Sequence, residues 1–556
     1  MKLALVQSEE EIKFIKSKTL EEVNFVPLNL ESQTYLIIQK FNFINPKKFI
    51  SKKFHEKSIT YVQNELEKLS YKEFTYHGIE SEFKGHIRFV LNYTIYLIEL
   101  LDAILNQFKI DEIIISGWDS VDITKHKSSN VFVIYRIISS LSINKKITVL
   151  DPNYKKDKPK IYDYKIDDIK IEDNKKTLIL NSVYYNFFRI ILHCKFLGIK
   201  PYVFEYQNFE LNFLKRIIFK ILGLTIIKVK TTNSAVKKID IKNIKIFYKS
   251  RDISQIVNFR VRELEYELTI INNKIKAFKH FMKNNFFSYY FTNVVRGFDG
   301  AVTEILNSMG TKTVCISHGT VAKSFNEFDI LYKKTIAEAV FSGHSKFFAV
   351  QSRICEDSLT NTNSEIKNPL HTGNILFSNT KGKQNNSVLF ATTLKPLHGT
   401  QLLGVEMYYE FMENLIDLNK LSNEKNIKVL TNVHGSHRDC ISNLKKIFPS
   451  ISFESKKIDK MLKKTFVTIS YSSSVIEDSI NSRVPVILFD KWKRYKHCDA
   501  NMNNNFFPIF YVNNVEELFE KIEFIKNNYS KLDFKSIIIG KDTNRNIKEL
   551  FKNLEK

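Results

Sequence analysis

Cysteine is scarce in this chain: Cys194, Cys315, Cys355, Cys440 and Cys498 are all there is in 556 residues. They are scattered, odd in number and never form a Cys-x-x-Cys pair. That speaks against a disulfide framework or a cysteine-rich metal site and fits a reducing compartment. No run of about 18 apolar residues is uninterrupted, so no membrane-spanning helix is expected. The start, MKLALVQSEEEIKF, has one short apolar run and then acids, which is not a secretory signal. A cytoplasmic protein is expected, working at the inner face of the membrane if it meets one. Zinc-finger spacing, an aromatic RNA-binding signature and a compact basic recognition helix are all missing, so nucleic acid is not an expected partner. No Asp-x-Asp metal motif stands out, and neither metal nor cofactor is expected.

Acids are also outnumbered. Lys and Arg total 84 against 60 Asp and Glu, a formal charge of +24. A Lys-, Asn-, Ile- and Phe-rich composition suits an AT-rich genome and accounts for part of that excess. The remainder favours acidic partners such as nucleotide sugars or an anionic lipid surface.

The length calls for more than one core. Short apolar strands alternate with amphipathic helices, which predicts an α/β protein with parallel sheets wound on both faces. Expected strands include 35–38, 112–116, 147–150, 177–180, 202–205, 289–292, 312–316 and 347–351. A second series covers 388–392, 428–431, 466–470, 484–489 and 509–512. Polar connectors near 360–383 and charged ones near 151–174 divide the chain. The expected units are an N-terminal α/β region 1–150, a Rossmann-like domain 151–366, a second Rossmann-like domain 384–530 and a helical tail 531–556. The stretch 228–251 reads as an exposed basic hairpin or insertion.

The most informative segment is TFVTISYSSSVIEDSINSRVPVILFD at 465–490. It reads as strand, Ser-rich turn, helix, tight turn, strand. Ser472, Ser473 and Ser474 sit where a helix N-terminus offers free N–H groups to an anion, phosphate above all. Glu477, one turn on, is placed to face a sugar or ribose hydroxyl. Ser474 and Glu477 also satisfy a plain capping box.

Other strand ends carry polar loops, the place where ligands bind in open α/β sheets. VLTNVHGSH puts His434 and Gly435 after one strand, and TVCISHGTVAK puts His318, Gly319, Thr320 and Lys323 after another. His318 is a candidate general base near neutral pH. PLHGT echoes the motif, with Lys395 just before it. Asp119 in SGWDS and Asp299 in RGFDG are carboxylates at strand ends, each also explained as a turn cap.

Together, HGT after a strand, a later His loop, SYSSS-x-x-E and PVILFD resemble the GT-B glycosyltransferases of bacterial surface polysaccharide synthesis. Within that group the chain is similar to the capsule and lipopolysaccharide transferases that use CMP-activated acidic sugars. Their His-Pro motif falls on His434 and Gly435, with glycine where the family has proline, and their Ser-Ser or Ser-Thr motif falls on Ser472–Ser474. The polyol-phosphate polymerases of teichoic acid synthesis are a second resemblance. Their HGT-Pro-x-Lys motif matches His318, Gly319, Thr320 and Lys323 with Val321 at the proline position. Their Tyr-Ser-Ser motif matches Tyr471, Ser472 and Ser473.

The resemblance implies two Rossmann-like lobes facing across a cleft, with an N-terminal extension or extra α/β subdomain. It implies a metal-independent transferase whose substrate is a nucleotide-sugar donor and whose acceptor is a glycan or lipid-linked glycan. His434, Gly435, Ser472, Ser473, Ser474, Glu477 and Lys395 would hold the donor. Gly319, Thr320 and Lys323 would meet phosphate or acceptor, with His318, Asp299 or Asp119 as the catalytic group. A CDP-polyol phosphotransferase, a UDP-sugar 2-epimerase-like enzyme and a non-catalytic scaffold of a synthesis complex remain the alternatives.

Overall fold

The structure is a computed structural model. It describes residues 1–556 apart from 50–51, 70–73, 118–136, 139, 142, 151–160, 170, 172–174, 185, 207–212, 234–238, 318, 321–326, 328–329, 331–343, 362–367, 381–386, 392–403, 434, 492, 494–495, 501–505 and 541.

Three sheets organise the chain, as a mixed α/β protein. The first is parallel, with strands β1 (Lys2–Val6), β2 (Val23–Pro27), β3 (Glu112–Ser116) and β4 (Lys146–Leu150) in the order β2-β1-β3-β4. Helices α1 (Glu9–Lys18), α2 (Leu30–Gln39), α3 (Lys52–Lys68) and α4 (His77–Gln107) belong to this unit. The strand expected at 35–38 is a correction, because those residues lie in α2. Asn29 caps that helix by accepting from the Ser32 N–H at 3.0 Å, and the local cap outweighs the β-prone composition.

The second sheet has eight strands. These are β5 (Tyr162–Ile166), β6 (Thr177–Leu180), β7 (Lys200–Glu205), β8 (Thr225–Asn233), β11 (Tyr289–Thr292), β12 (Lys312–Cys315), β13 (Phe347–Val350) and β14 (Pro369–His371). From β6 onward they follow the doubly wound order, with β8-β7-β6 on one side and β11-β12-β13-β14 on the other. Only β5, at the β8 edge, runs antiparallel to its neighbour. Its helices include α5 (Phe188–Phe196), α6 (Phe213–Ile221), α7 (Ser254–Met282), α8 (Gly297–Ser308) and α9 (Arg353–Asn361). The basic stretch at 228–251 divides between β8 and a small antiparallel hairpin, β9 (Phe247–Tyr248) with β10 (Arg251–Asp252).

The third sheet is parallel throughout: β15 (Ser387–Phe390), β16 (Lys428–Asn432), β17 (Ile451–Glu454), β18 (Val467–Ser470), β19 (Val486–Phe489) and β20 (Ile509–Val512). Its order, β17-β16-β15-β18-β19-β20, is the Rossmann arrangement. Strands such as VILF at β19 are buried at every position, as expected for a parallel sheet covered on both faces. Helices α10 (Gly404–Lys425), α11 (Ile441–Ile447), α12 (Ile458–Leu462), α13 (Val475–Asn481) and α14 (Val515–Asn528) accompany it.

The three units are knitted together. Helix α4 is long and apolar enough to cross a membrane by length and composition alone, although charged residues interrupt it. It is a core helix instead, buried along most of its length against α7 and α8. Gly78 and Gly300 allow the α4–α8 crossing, since a Cβ on Gly78 would stand 2.7 Å from the Gly300 Cα. The Tyr408 hydroxyl of α10 donates to the Pro27 carbonyl at 2.9 Å, tying the first sheet to the third unit. The last helix, α15 (Thr543–Glu555), returns to the second sheet, where Phe551 packs 5.2 Å from Phe291. Residues 509–512, expected as a strand, form β20 at the edge of the third sheet.

Candidate functional site

In a doubly wound sheet the strand order reverses at one point, and the loops there splay apart to leave room for a ligand. In the third sheet that point lies between β15 and β18, so the turn Tyr471–Ser472–Ser473–Ser474 sits directly on it. Ser473 Oγ accepts from the Val475 N–H at 3.3 Å, while Ser474 makes no side-chain cap. Helix α13 has only 7 residues, so its macrodipole is small and any anion there depends on the hydroxyls and local N–H groups.

Glu477 does not complete a capping box and does not face an open pocket. Its side chain is fully buried and reaches the second sheet. The Ser352 hydroxyl, just past β13, donates to Glu477 Oε1 at 2.8 Å. The Thr320 hydroxyl, in the loop after β12, donates to Oε2 at 3.2 Å. His497 Nε2 lies 3.0 Å from the same Thr320 hydroxyl, and its Nδ1 lies 3.5 Å from Ser472 Oγ. A Cβ on Gly319 would meet Ser474 Cβ at 3.8 Å. The loop carrying Gly319 and Thr320 and the Ser turn therefore meet where the two sheets abut.

Burial raises the Glu477 carboxyl from its ordinary range to about 8, against the hydrogen bonds from Ser352 and Thr320 that favour the anion. The direction of the hydrogen-bond chain follows its charge. With an ionised Glu477, Thr320 donates to the carboxylate and must accept from His497 Nε2–H, leaving Nδ1 to accept from Ser472. With Glu477 protonated, Ser352 still accepts from the Cys355 N–H at 3.1 Å and donates to Oε1. The acid proton then goes to Thr320, Thr320 donates to Nε2, and Nδ1–H points at Ser472. The proton on Glu477 and the tautomer of His497 are thus linked through the Thr320 hydroxyl. Neighbouring Asp478 is also raised by burial, to about 7, and its Oδ1 accepts from the Ser378 N–H at 2.6 Å.

Asp299 occupies a different place, the reversal point of the second sheet between β6 and β11. Asn181, after β6, donates to Asp299 Oδ2 at 3.2 Å and to Asn293 Oδ1 at 2.8 Å. The Tyr290 hydroxyl lies 3.5 Å from Asp299 Oδ1. Burial moves the Asp299 carboxyl up to about 6, opposed by these donors and by Lys274. The simple turn-cap reading does not describe it.

Gly435 opens a 3-10 turn, Gly435–Cys440, after β16. His318, Lys323, His434, Lys395 and Asp119 lie outside the described residues. Ser352, His497, Asn181 and Tyr290 were not singled out from sequence. Ser352 carried a usable signal, a polar residue directly after an apolar strand, the same cue that selected Thr320. Among the described residues no group of three or more His, Cys, Asp or Glu is arranged to hold a metal ion.

No protein-family model matches the chain, and no curated protein does. Solved structures similar to it include UDP-GlcNAc 2-epimerase from Methanocaldococcus jannaschii, at 10% identity and TM-score 0.40, covering 69% of this chain and 100% of that one. Staphylococcus aureus TarM, in complex with UDP and α-GlcNAc-glycerol, is 12% identical at TM-score 0.40, covering 68% and 99%. The wall teichoic acid polymerase TagF is 12% identical at TM-score 0.37, covering 68% and 88%. At these scores the likeness carries no weight, and the fold rests on its own strand order.

Proposed function

We propose that the protein is a GT-B glycosyltransferase, moving a sugar from a nucleotide-activated donor to a surface polysaccharide or lipopolysaccharide acceptor. The observation that carries this reading is the hydrogen-bonded seam Ser472–His497–Thr320–Glu477–Ser352, which joins loops at the strand ends of two doubly wound sheets. The third unit takes the donor through Ser472, Ser473, Ser474, His434, Gly435 and Lys395. As the glycosidic bond breaks, negative charge grows on the leaving phosphate, and fixed hydroxyl, imidazole and N–H donors stabilise it there. Glu477 acts as the joint between the lobes. His318, next in sequence to Gly319 and Thr320, is the proposed base, with Asp299 and Asp119 as carboxylate alternatives, and Lys323 is the proposed partner of a phosphate. The working place is the inner face of the cytoplasmic membrane.

CMP-Kdo or a related acidic sugar is the proposed donor. The link from Thr320 through His497 to Ser472 favours a second reading, a CDP-polyol phosphotransferase, because it joins that group's two motifs. Nucleotide release from a panel of CMP-, CDP-, UDP- and GDP-linked donors tests both. Transfer from a CMP-sugar supports the first, CMP release from CDP-glycerol the second, and free UDP the epimerase type. No turnover with any donor contradicts all three and leaves the scaffold.

Because the leaving-phosphate charge is met by protein groups, activity is expected to survive EDTA. Complete loss with EDTA, restored by magnesium or manganese, contradicts this part of the proposal.

A further inference from the structure

We propose that the outer surface of α5 and α6 is a docking face for an anionic lipid bilayer. Consecutive crossovers β6-α5-β7 and β7-α6-β8 put both helices on the same face of the second sheet. One core cluster holds Ile190, Ile191 and Cys194 of α5 together with Phe219 of α6, which confirms the shared face. Beyond those contacts the helices turn apolar side chains to solvent. Tyr184 in the turn before α5, and Phe188, Leu192 and Phe196 within it, recur every four residues and are 39–80% exposed. Helix α6 buries Phe219 and exposes Phe213, Leu214, Ile217, Ile218 and Ile221 at 41–75%. Nine of the thirteen exposed large hydrophobics among the described residues fall on this one surface. Scattered apolar residues need no explanation, but a cluster does.

Charge decides what covers the face. The sequences FRIILHCKF and FLKRIIFKI contain five Lys or Arg residues and no Asp or Glu. At 100° per residue the five exposed apolar side chains of α6 span an arc of about 140°, with Lys220 on one edge and Lys215 on the other, while Arg216 is ion-paired with Glu205. An outward apolar arc with basic edges is the pattern of a helix lying in a lipid interface, its lysines reaching anionic headgroups. A second copy of the chain would set these basic rims against each other, an unfavourable pairing. The face begins at Tyr184, three residues after the Asn181 that bonds Asp299, so a lipid-held acceptor would arrive beside that crevice. The docking claim itself requires no nucleotide and no turnover.

Sedimentation of the full chain with vesicles tests it. Equal mixtures of phosphatidylglycerol and phosphatidylcholine are expected to bind at least about tenfold better than phosphatidylcholine alone, and added salt to weaken that preference. Leu214→Glu/Ile218→Glu is expected to lose at least about tenfold in binding to the anionic vesicles. Ile416→Glu, at an isoleucine equally exposed on α10, is expected to bind as wild type. Lys215→Glu/Lys220→Glu gives an independent reading if the apolar variant does not fold. Wild-type binding by the folded variants, or equal binding to both vesicle types, overturns the proposal. So does a concentration-dependent dimer, lost in the variants, from a protein that binds no vesicles.

Discussion

Glu477→Ala is expected to destabilise the protein by about 2–5 kcal/mol, because it opens a cavity and strips the buried Ser352 and Thr320 hydroxyls of their partner. Glu477→Gln is expected to cost little near neutral pH. The acid is held at about 8, so it is mostly protonated there, and an amide copies its shape and its donor–acceptor pair. The two variants separate with pH. A carboxyl raised by burial binds its proton more tightly folded than unfolded, so unfolding releases a proton between the two values. The stability this gives is full below the ordinary carboxylate range and is lost as pH rises through about 8. Wild type should therefore lose stability from about pH 5 to 8, and Glu477→Gln should show a shallower fall, by up to about 1.4 kcal/mol per pH unit. Denaturant melts at several pH values check this. Equal slopes in the two proteins would show that Glu477 is ionised in the folded state.

His318→Ala is expected to lower turnover by about a hundredfold to ten-thousandfold, the usual contribution of a general base. Saturating single-turnover rates and donor affinity, measured separately, distinguish base from binder. The structure sharpens the alternative, since Gly319 and Thr320 in the same loop meet Ser474 and Glu477 of the proposed donor side. If His318→Ala raises the donor Kd and spares the saturated rate, His318 binds donor. The search for the base then moves to Asp299, whose raised carboxyl at the reversal point of the second sheet is already surrounded by Asn181 and Tyr290. Asp299→Asn keeps the shape and removes the charge.

Much of the fold was legible because parallel strands buried on both faces leave continuous apolar runs such as 484–489 and 312–316. Strand ends followed by Ser, His, Gly or Thr were legible for the same reason, and the Ser turn falls on the reversal point of its sheet. Helix α2 was misread because Tyr35 to Ile38 is β-prone in composition, while the deciding cue was the cap at Asn29. The partners of Glu477 were not legible: Ser352 stands 125 residues away and Thr320 157 residues away, and no local period records such a meeting. Helix α6 shows the same limit. Its apolar residues could equally have been a core stripe, and only the packed sheet reveals that Phe219 alone turns inward.

The central claim is that the seam between the second and third sheets receives an activated nucleotide. Thermal unfolding with CMP, CDP, UDP and GDP, in wild type and in Ser472→Ala/Ser473→Ala, tests it most directly. A nucleotide that binds the folded state raises the melting temperature by mass action, about 2.7 kcal/mol of stabilisation at a hundredfold excess over Kd. The account predicts a rise with at least one nucleotide and its loss in a double variant that melts normally without ligand. No rise with any of the four, or the same rise in the folded double variant, would contradict it.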